Sequence, residues 1–421
     1  MCFPHDALYL HDLVALALSG PLDVTAIQQA YNMLLLRHDA LRMRIVFVGR
    51  QPWQVFEAAT ESRFQFVDCS DSGEQESIIE DRIRATIQER YDRKINFEQD
   101  ALFTATLYRL TTQRHVLTFW PHHIIWDGRS LAILFQEFWS LYARHLAGDM
   151  HATPTDFMQY SEYIQWQEKM HQSQRKELLA YWEQRLSDAT SLRLPVTLDD
   201  SAASVEELKI CRALNNELTA KLRNRAAQTR IMLSLYALAA YAIVVSRRFE
   251  KNDLVITTTF MGRESERQAQ LIGYLSFPMF LRIKFDPVST LTQSLRLVTK
   301  EYMSSLRHRD FGSTVLDNME LYSGMLFQWF PYNWGASTQQ LNVLRHRIEP
   351  FAFRSRSPSA ANLYLSVTVI ENNDQLSIQI NYRPDVLTSA VADQIAFDME
   401  AVLSRFATDP DDVSISRCIP A

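Results

Sequence analysis

The sequence predicts an α+β protein of two domains. Three observations point there. The chain has 421 residues and 47% hydrophobic content, more than one typical core uses, so two domains of roughly 200 residues are the prior. Strand-like alternation and helical periodicity occur in both halves instead of segregating to one. Between the halves, "SLRLPVTLDDSAAS" (191–204) loses its helical period and turns to proline, aspartate and small polar residues, as a boundary does. The domains are therefore drawn as 1–190 and 191–421.

The first half opens with an amphipathic helix over Leu22 to Leu36. Asp23 is its N-cap, and Ala26, Ala30 and Leu34 carry the apolar stripe. "ALRMRIVFV" (40–48) turns toward strand, and "QPWQVFE" (51–57) and "RFQFVD" (63–68) alternate as strands do. Glu76 to Arg93 is charged and favours helix. "LFTATLYRL" and "RHVLTFWPHHII" read as neighbouring strands joined by the polar turn Thr111–Arg114. "SLAILFQEFWSLYARHLAG" (130–148) is a helix that Ser130 starts and Gly148 stops, and a second helix covers about Ser161 to Leu186.

In the second half a strand precedes a helix over Asn216–Ala227. "DLVITTTF" (253–260) is a strand, with a helix near 289–306. "NLYLSVTVI" and "QLSIQINY" pair across the polar "ENND", and a helix over Ser389 to Phe406 closes the pattern. The apolar run Ile231 to Val245 is bounded by Arg230 and Arg247. It falls short of the ~20 residues that cross a bilayer, so it reads as a buried core helix, and no membrane partner is expected.

Composition narrows the function classes. Lysine and arginine total 43 against 49 aspartate and glutamate, and the basic residues form no block, which argues against a nucleic-acid partner. Cys2, Cys69, Cys211 and Cys418 are far apart with no CxxC pair, so neither a zinc ribbon nor a redox motif is supported. The start, MCFPHDALYL, lacks the basic region and apolar core of a signal peptide. Scattered reduced thiols then fit a cytoplasmic location.

"PHHIIWDGRS" (121–130) carries the chemistry. With 11 histidines and 10 glycines in the chain, two adjacent histidines and a glycine at this spacing arise by chance in roughly 1 in 150 such chains. Neighbouring strand residues point to opposite faces, so His122 and His123 do not readily share one ion, and no HExxH exists; no metal is expected. Two readings remain open from the residues alone. Both histidines sit satisfied at a strand end, or one faces a cavity as a general base, where an imidazole with a pKa near ~6.5 suits taking a proton from an amine or hydroxyl. Asp127 would then fix the turn through an arginine. Gly128 would allow close backbone approach or an unusual dihedral. GxSxG is absent, so a direct transfer between two bound substrates is simpler than an acyl-enzyme.

These residues resemble the HHxxxDG signature of nonribosomal peptide synthetase condensation domains. Other segments agree, in the family's order. "RHDALRMRI" (37–45), "YSEYIQWQ" (160–167), "GRESERQAQLIGYLSFPMFLRI" (262–283), "HRDFGSTVL" (308–316), "LFQWFPYNW" (326–334) and "NLYLSVTVIENNDQLSIQINYRPDVL" (362–387) each resemble a family segment, over nearly the whole chain. The resemblance implies two chloramphenicol-acetyltransferase-like α/β sandwich halves arranged as a V-shaped pseudo-dimer with a central tunnel. Phosphopantetheine arms of acyl or peptidyl carrier proteins would enter it.

By the resemblance, His123 either deprotonates the attacking nucleophile or positions and stabilises it, and Gly128 offers its backbone amide to the oxyanion. His122 is structural. Asp127 holds the loop through Arg282, and Arg42 is a second structural arginine. Trp126, Phe277 and Asn333 are tunnel or substrate residues. Three departures stand out: Arg129 replaces the usual aromatic, Trp126 is bulky, and Phe277 stands where the family has asparagine. The family's first segment is also expected to be missing or unrecognisable.

No adenylation or carrier segment is recognised, so a freestanding condensation enzyme is expected. It would join an acyl group from a carrier thioester to a small-molecule amine or alcohol, with no cofactor of its own. An acyl-coenzyme A transferase of the same superfamily and a non-catalytic recruitment platform are the alternatives. Of the remaining features, Trp329, Phe330, Tyr332 and Trp334 read as core aromatics rather than an acyl pocket. Arg37 and His38 hold the fold. The run 80–94 is a solvated helix face, with carrier docking as its alternative.

Overall fold

The computed structural model describes residues 13–58, 63–149, 156–189, 208–309, 324–330, 347–351, 365–372, 375–408 and 414–419. The boundary expected at 190/191, Asn333, Tyr332, Trp334 and most of "HRDFGSTVL" lie outside them. The chain divides into two compact units interleaved along the sequence. Unit 1 is Met1–Met170 with Met261–Ser276 and Trp334–Ser355; unit 2 is His171–Phe260, Phe277–Asn333 and Arg356–Ala421.

Unit 1 is built on a five-stranded sheet. β1 (Val14–Ser19) lies antiparallel to β6 (Arg114–Pro121) and to β11 (Arg347–Pro350); β5 (Phe103–Thr111) is antiparallel to β6, and β4 (Phe64–Asp68) runs parallel to β5 at the edge. Alternation along β6 splits its side chains between two faces. Phe119 meets Phe135 and Phe138 of α3 (Gly128–Leu146). Trp120 turns the other way, into a cluster with Ile79, Ile83, Ile87 and Tyr91 of α2 (Glu76–Asp92). The charged run is thus the outer side of α2, with isoleucines beneath. β2 (Met43–Val48) and β3 (Gln51–Phe56) form a separate hairpin.

The α1 helix runs Val24–Arg37, capped as expected by Asp23, whose side chain accepts from Ala26 N at 2.9 Å. The α3 helix starts two residues earlier than the sequence suggests. Asp127, not Ser130, opens it, accepting from Ser130 N at 2.9 Å. The α4 helix (Tyr160–Leu186) is started from a distance: the buried Asp39 carboxylate accepts from Tyr160 N at 2.9 Å and from Ser161 N at 3.1 Å. Arg37 and His38 both pair with Glu137 on α3, His38 Nε2 at 2.7 Å, as fold-holding residues do. Arg42 donates to Leu35 O at 2.6 Å and to Glu57 O, tying the end of α1 to the end of β3.

Unit 2 holds a six-stranded sheet in the order β7 (Leu208–Ala213), β13 (Gln375–Tyr382), β12 (Leu365–Asn372), β10 (Met325–Phe330), β8 (Asp253–Phe260), β9 (Phe277–Lys284). β10 is parallel to β12 and β8, and the other pairs are antiparallel. One face packs on α5 (Asn216–Thr229), α6 (Leu233–Arg248), α7 (Leu291–Arg307) and α8 (Ser389–Thr408). The apolar run Ile231 to Val245 falls mostly on α6, which is buried from Leu235 through Ser246; no single helix among the described residues is long and apolar enough to cross a membrane. Trp329 packs against this core. On the other face Val255 and Phe280 meet Leu178, Trp182 and Leu186 of α4.

Asp39→Ala should cost about 1–3 kcal/mol, because two first-turn amides of α4 lose their acceptor. Chemical denaturation should show this beside Asp81→Ala, an exposed control expected within ~0.5 kcal/mol of wild type.

Candidate functional site

The β6 strand ends at Pro121, and a short 3-10 turn over His123–Ile125 joins it to α3. His122 is buried. Its backbone N–H donates to Leu102 O at 2.8 Å, its Nδ1 accepts from Ile124 N at 3.2 Å, and Phe97 packs edge-on against its ring. With Nδ1 accepting, a neutral ring carries its proton on Nε2.

His123 is half-buried, and its Nδ1 lies 3.0 Å from Trp126 O. A carbonyl only accepts, so Nδ1 is the donor. The neutral ring is thereby fixed as the Nδ1–H tautomer, with its basic lone pair on Nε2. The two histidines are held in opposite tautomers by backbone groups of the same turn. The Trp126 side chain is only 3% exposed; the residue's part in this turn is its carbonyl.

Asp127 is 1% exposed and saturated with donors. Oδ1 accepts from Ser130 N (2.9 Å), Ser130 Oγ (2.9 Å) and Arg263 Nη2 (3.0 Å). Oδ2 accepts from Arg263 Nη1 (2.9 Å), Leu275 N (3.1 Å) and Ser276 Oγ (3.1 Å). Burial pushes its pKa up, but the Arg263 charge and these hydrogen bonds outweigh burial, and the carboxyl is held below its ordinary range. Arg263 is itself buried and donates further to Leu271 O and Met261 O.

The arginine expected for Asp127 was Arg282, and the structure corrects this to Arg263. Arg263 lies in the segment between β8 and β9 that also brings Leu275 N and Ser276 Oγ to the same carboxylate. Arg282 sits on β9, and its guanidinium is taken by Asp253, at 2.6 and 3.0 Å, and by Asp188. It remains a structural residue, in unit 2. The signal for Arg263 was in the chain: it follows Gly262, whose φ is +60° and where an added Cβ would lie 2.1 Å from Leu275 O. Only glycine lets the two backbones approach so closely.

Gly128 takes ordinary helical backbone, so of its two expected roles, close backbone approach or an unusual dihedral, the second is not met; its φ is not positive. It is the first residue of α3, where a backbone N–H has no partner inside the helix and the macrodipole is positive. Phe277 is half-buried at the start of β9, paired with Phe260. Chemically, the turn offers a fixed imidazole lone pair and a helix-initiating amide five residues on.

Residues 1–416 match the sequence profile of the condensation domain. Chondramide synthase cmdD of Chondromyces crocatus is 26% identical over 414 residues, 94% of this chain and 10% of that protein. Tyrocidine synthase 3 of Brevibacillus parabrevis is 24% identical over 404 residues, 94% of this chain and 6% of that protein. The chain thus spans a tenth or less of these relatives. Among solved structures, the X-domain from teicoplanin biosynthesis superposes with a TM-score of 0.75 at 19% identity, covering 99% and 98% of the two chains. The condensation domain of the monacolin K polyketide synthase MokA gives 0.77 at 14%, covering 98% and 95%. At these identities the likeness is one of fold, and it is the mixed α/β class read from the sequence.

Asp127→Asn should cost about 3–5 kcal/mol, because Arg263 would remain buried without its counter-charge. The stability a depressed carboxylate contributes is complete above its unfolded value, ~4, and is lost as pH falls through the lower folded value. The gap between wild type and Asp127→Asn in urea titrations should therefore be constant near neutrality and close only below pH ~4. A gap that closes on the alkaline side would contradict the assignment.

Proposed function

The chain belongs to the condensation-domain family, and from that premise we propose that it catalyses acyl transfer. The donor is a thioester on the phosphopantetheine arm of a carrier protein. The acceptor is an amine or a hydroxyl, and the product an amide or an ester. The phosphopantetheine is the partner's, and the reaction calls for no cofactor bound by this chain.

The observation that carries the reading is the His123 Nδ1–H held on Trp126 O. A base must offer its lone pair in a defined direction, and this bond puts the lone pair of the neutral ring on Nε2. As the acceptor attacks the thioester carbonyl, Nε2 takes its proton. The carbonyl oxygen gains negative charge, which the Gly128 amide at the positive end of α3 would stabilise. Collapse reforms the carbonyl, expels the pantetheine thiolate and leaves the acyl group on the acceptor. The proton held on Nε2 then neutralises the thiolate. Intermediate charge is handled by a ring and an amide of one turn, so no acyl-enzyme is needed.

Two further readings stay in view. Free acyl-coenzyme A would present the same thioester without the carrier. A non-catalytic platform is favoured by Phe277, where the resembled motif has asparagine. It also draws on likeness to the X-domain, seen in a complex with OxyB from teicoplanin biosynthesis, at a TM-score of 0.77 and 20% identity.

The test mixes acyl-loaded carrier protein with a panel of amines and alcohols and follows product by mass spectrometry. Wild type should turn over, and His123→Ala should fall by about 10²–10⁴ with thermal stability near wild type, since the ring is only half-buried. Equal product from both proteins would discard the base. Comparable rates with free acyl-coenzyme A would favour the second donor. No turnover alongside a stable partner complex would favour the platform.

A further inference from the structure

The turn that carries His123 is held against a second segment, Leu271–Ser276, whose backbone is pinned almost residue by residue. Leu271 O accepts from Arg263 at 2.8 and 3.1 Å. Gly273 N donates to Ser130 Oγ at 3.1 Å, and Gly273 O faces the same hydroxyl at 2.9 Å. Tyr274 O accepts from Tyr160 OH at 3.4 Å, and Leu275 N donates to Asp127 at 3.1 Å. Gly273 presses so closely on Tyr160 that an added Cβ would lie 2.3 Å from that ring. Of the six residues, five are buried or half-buried, and Tyr274 alone is exposed, at 37%. A clamp this extensive around one outward side chain fixes where that side chain stands.

It stands against His123. The Tyr274 and His123 ring centroids are 5.5 Å apart, with the planes 83° from each other, a favourable perpendicular contact. The Trp126 carbonyl sets which nitrogen of His123 carries the proton, but a hydrogen bond at Nδ1 does not by itself define the plane of the ring. A perpendicular ring on a pinned backbone constrains that plane. We propose that Tyr274 is the positioning residue of His123: its ring, not its hydroxyl, fixes the imidazole plane and so the direction of Nε2. The proposal rests on the reading of His123 as base, and it assigns a role to a residue outside the HHxxxDG motif. Asp127 is the link, since it caps the helix after His123 and holds the amide after Tyr274.

The test uses the full chain with histidine labelled at Cε1, the His123 resonance being identified by its loss in His123→Ala. In Tyr274→Ala the resonance should move from its wild-type position as the ring current is lost, and in Tyr274→Phe it should stay. In acyl transfer, Tyr274→Ala should lose about ten- to a hundredfold in kcat with the acceptor KM little changed, and Tyr274→Phe should restore the rate. An unmoved resonance in Tyr274→Ala would overturn the proposal. So would a loss carried by KM alone, or Tyr274→Phe falling as far as Tyr274→Ala. If wild type shows no transfer at all, the functional reading has failed instead. The resonance then decides the contact alone: movement in Tyr274→Ala supports it and none overturns it.

Discussion

The site depends on one buried ion pair. Asp127 and Arg263 are both nearly inaccessible to water, and taking two charges out of solvent costs several kcal/mol each. The cost is tolerable because neither group is left short of partners. The carboxylate accepts six hydrogen bonds, and the guanidinium spends its remaining donors on backbone carbonyls and Ser130. A pair so completely satisfied acts as a fastener. Its worth lies less in net stability than in where it forces the chain to go.

Three segments meet at that fastener: the end of β6, the start of α3 and the stretch between β8 and β9. Because Asp127 is the N-cap, α3 begins at Gly128 and its first amide is presented directly after the histidine turn. Because the same carboxylate holds Leu275 N, the neighbouring tyrosine is delivered to the histidine ring. Gly262 and Gly273 are the steric condition for the arrangement, since each occupies a place where a side chain would collide with the opposing segment. The turn that carries His123 is therefore held in place by residues from three separate segments.

Much of this was legible in the chain and some was not. Local signals carried the elements: Asp23 ahead of an apolar stripe marked α1, and the strand over 253–260 coincides with β8. The HHxxxDG turn was legible because adjacent histidines before an aspartate and glycine are rare by composition. What local reading missed was long-range. Ser130 looked like a helix start because serine commonly caps; Asp127 prevailed because it caps and binds a guanidinium 136 residues away. Arg263, Arg267 and Arg282 all stand in the resembled stretch 262–283, and spacing alone does not say which is drawn to the carboxylate. The glycine before Arg263 was the discriminating signal, since it marks where backbones meet. Asp39 capping α4 from 121 residues away leaves no local trace at all.

The interleaving of the two units has a consequence for how the protein is made. Asp127 leaves the ribosome 136 residues before Arg263, and at ~5–20 residues per second that is a delay of roughly 7–27 s. During this interval Asp127 lacks Arg263, the guanidinium it pairs with in the folded chain. Burying that charge alone would be costly, so the buried form of this turn is favoured only once Arg263 is present. The final surroundings of the histidine include Tyr274 and so need Met261–Ser276, a segment made long after local helix formation at α3 has become possible.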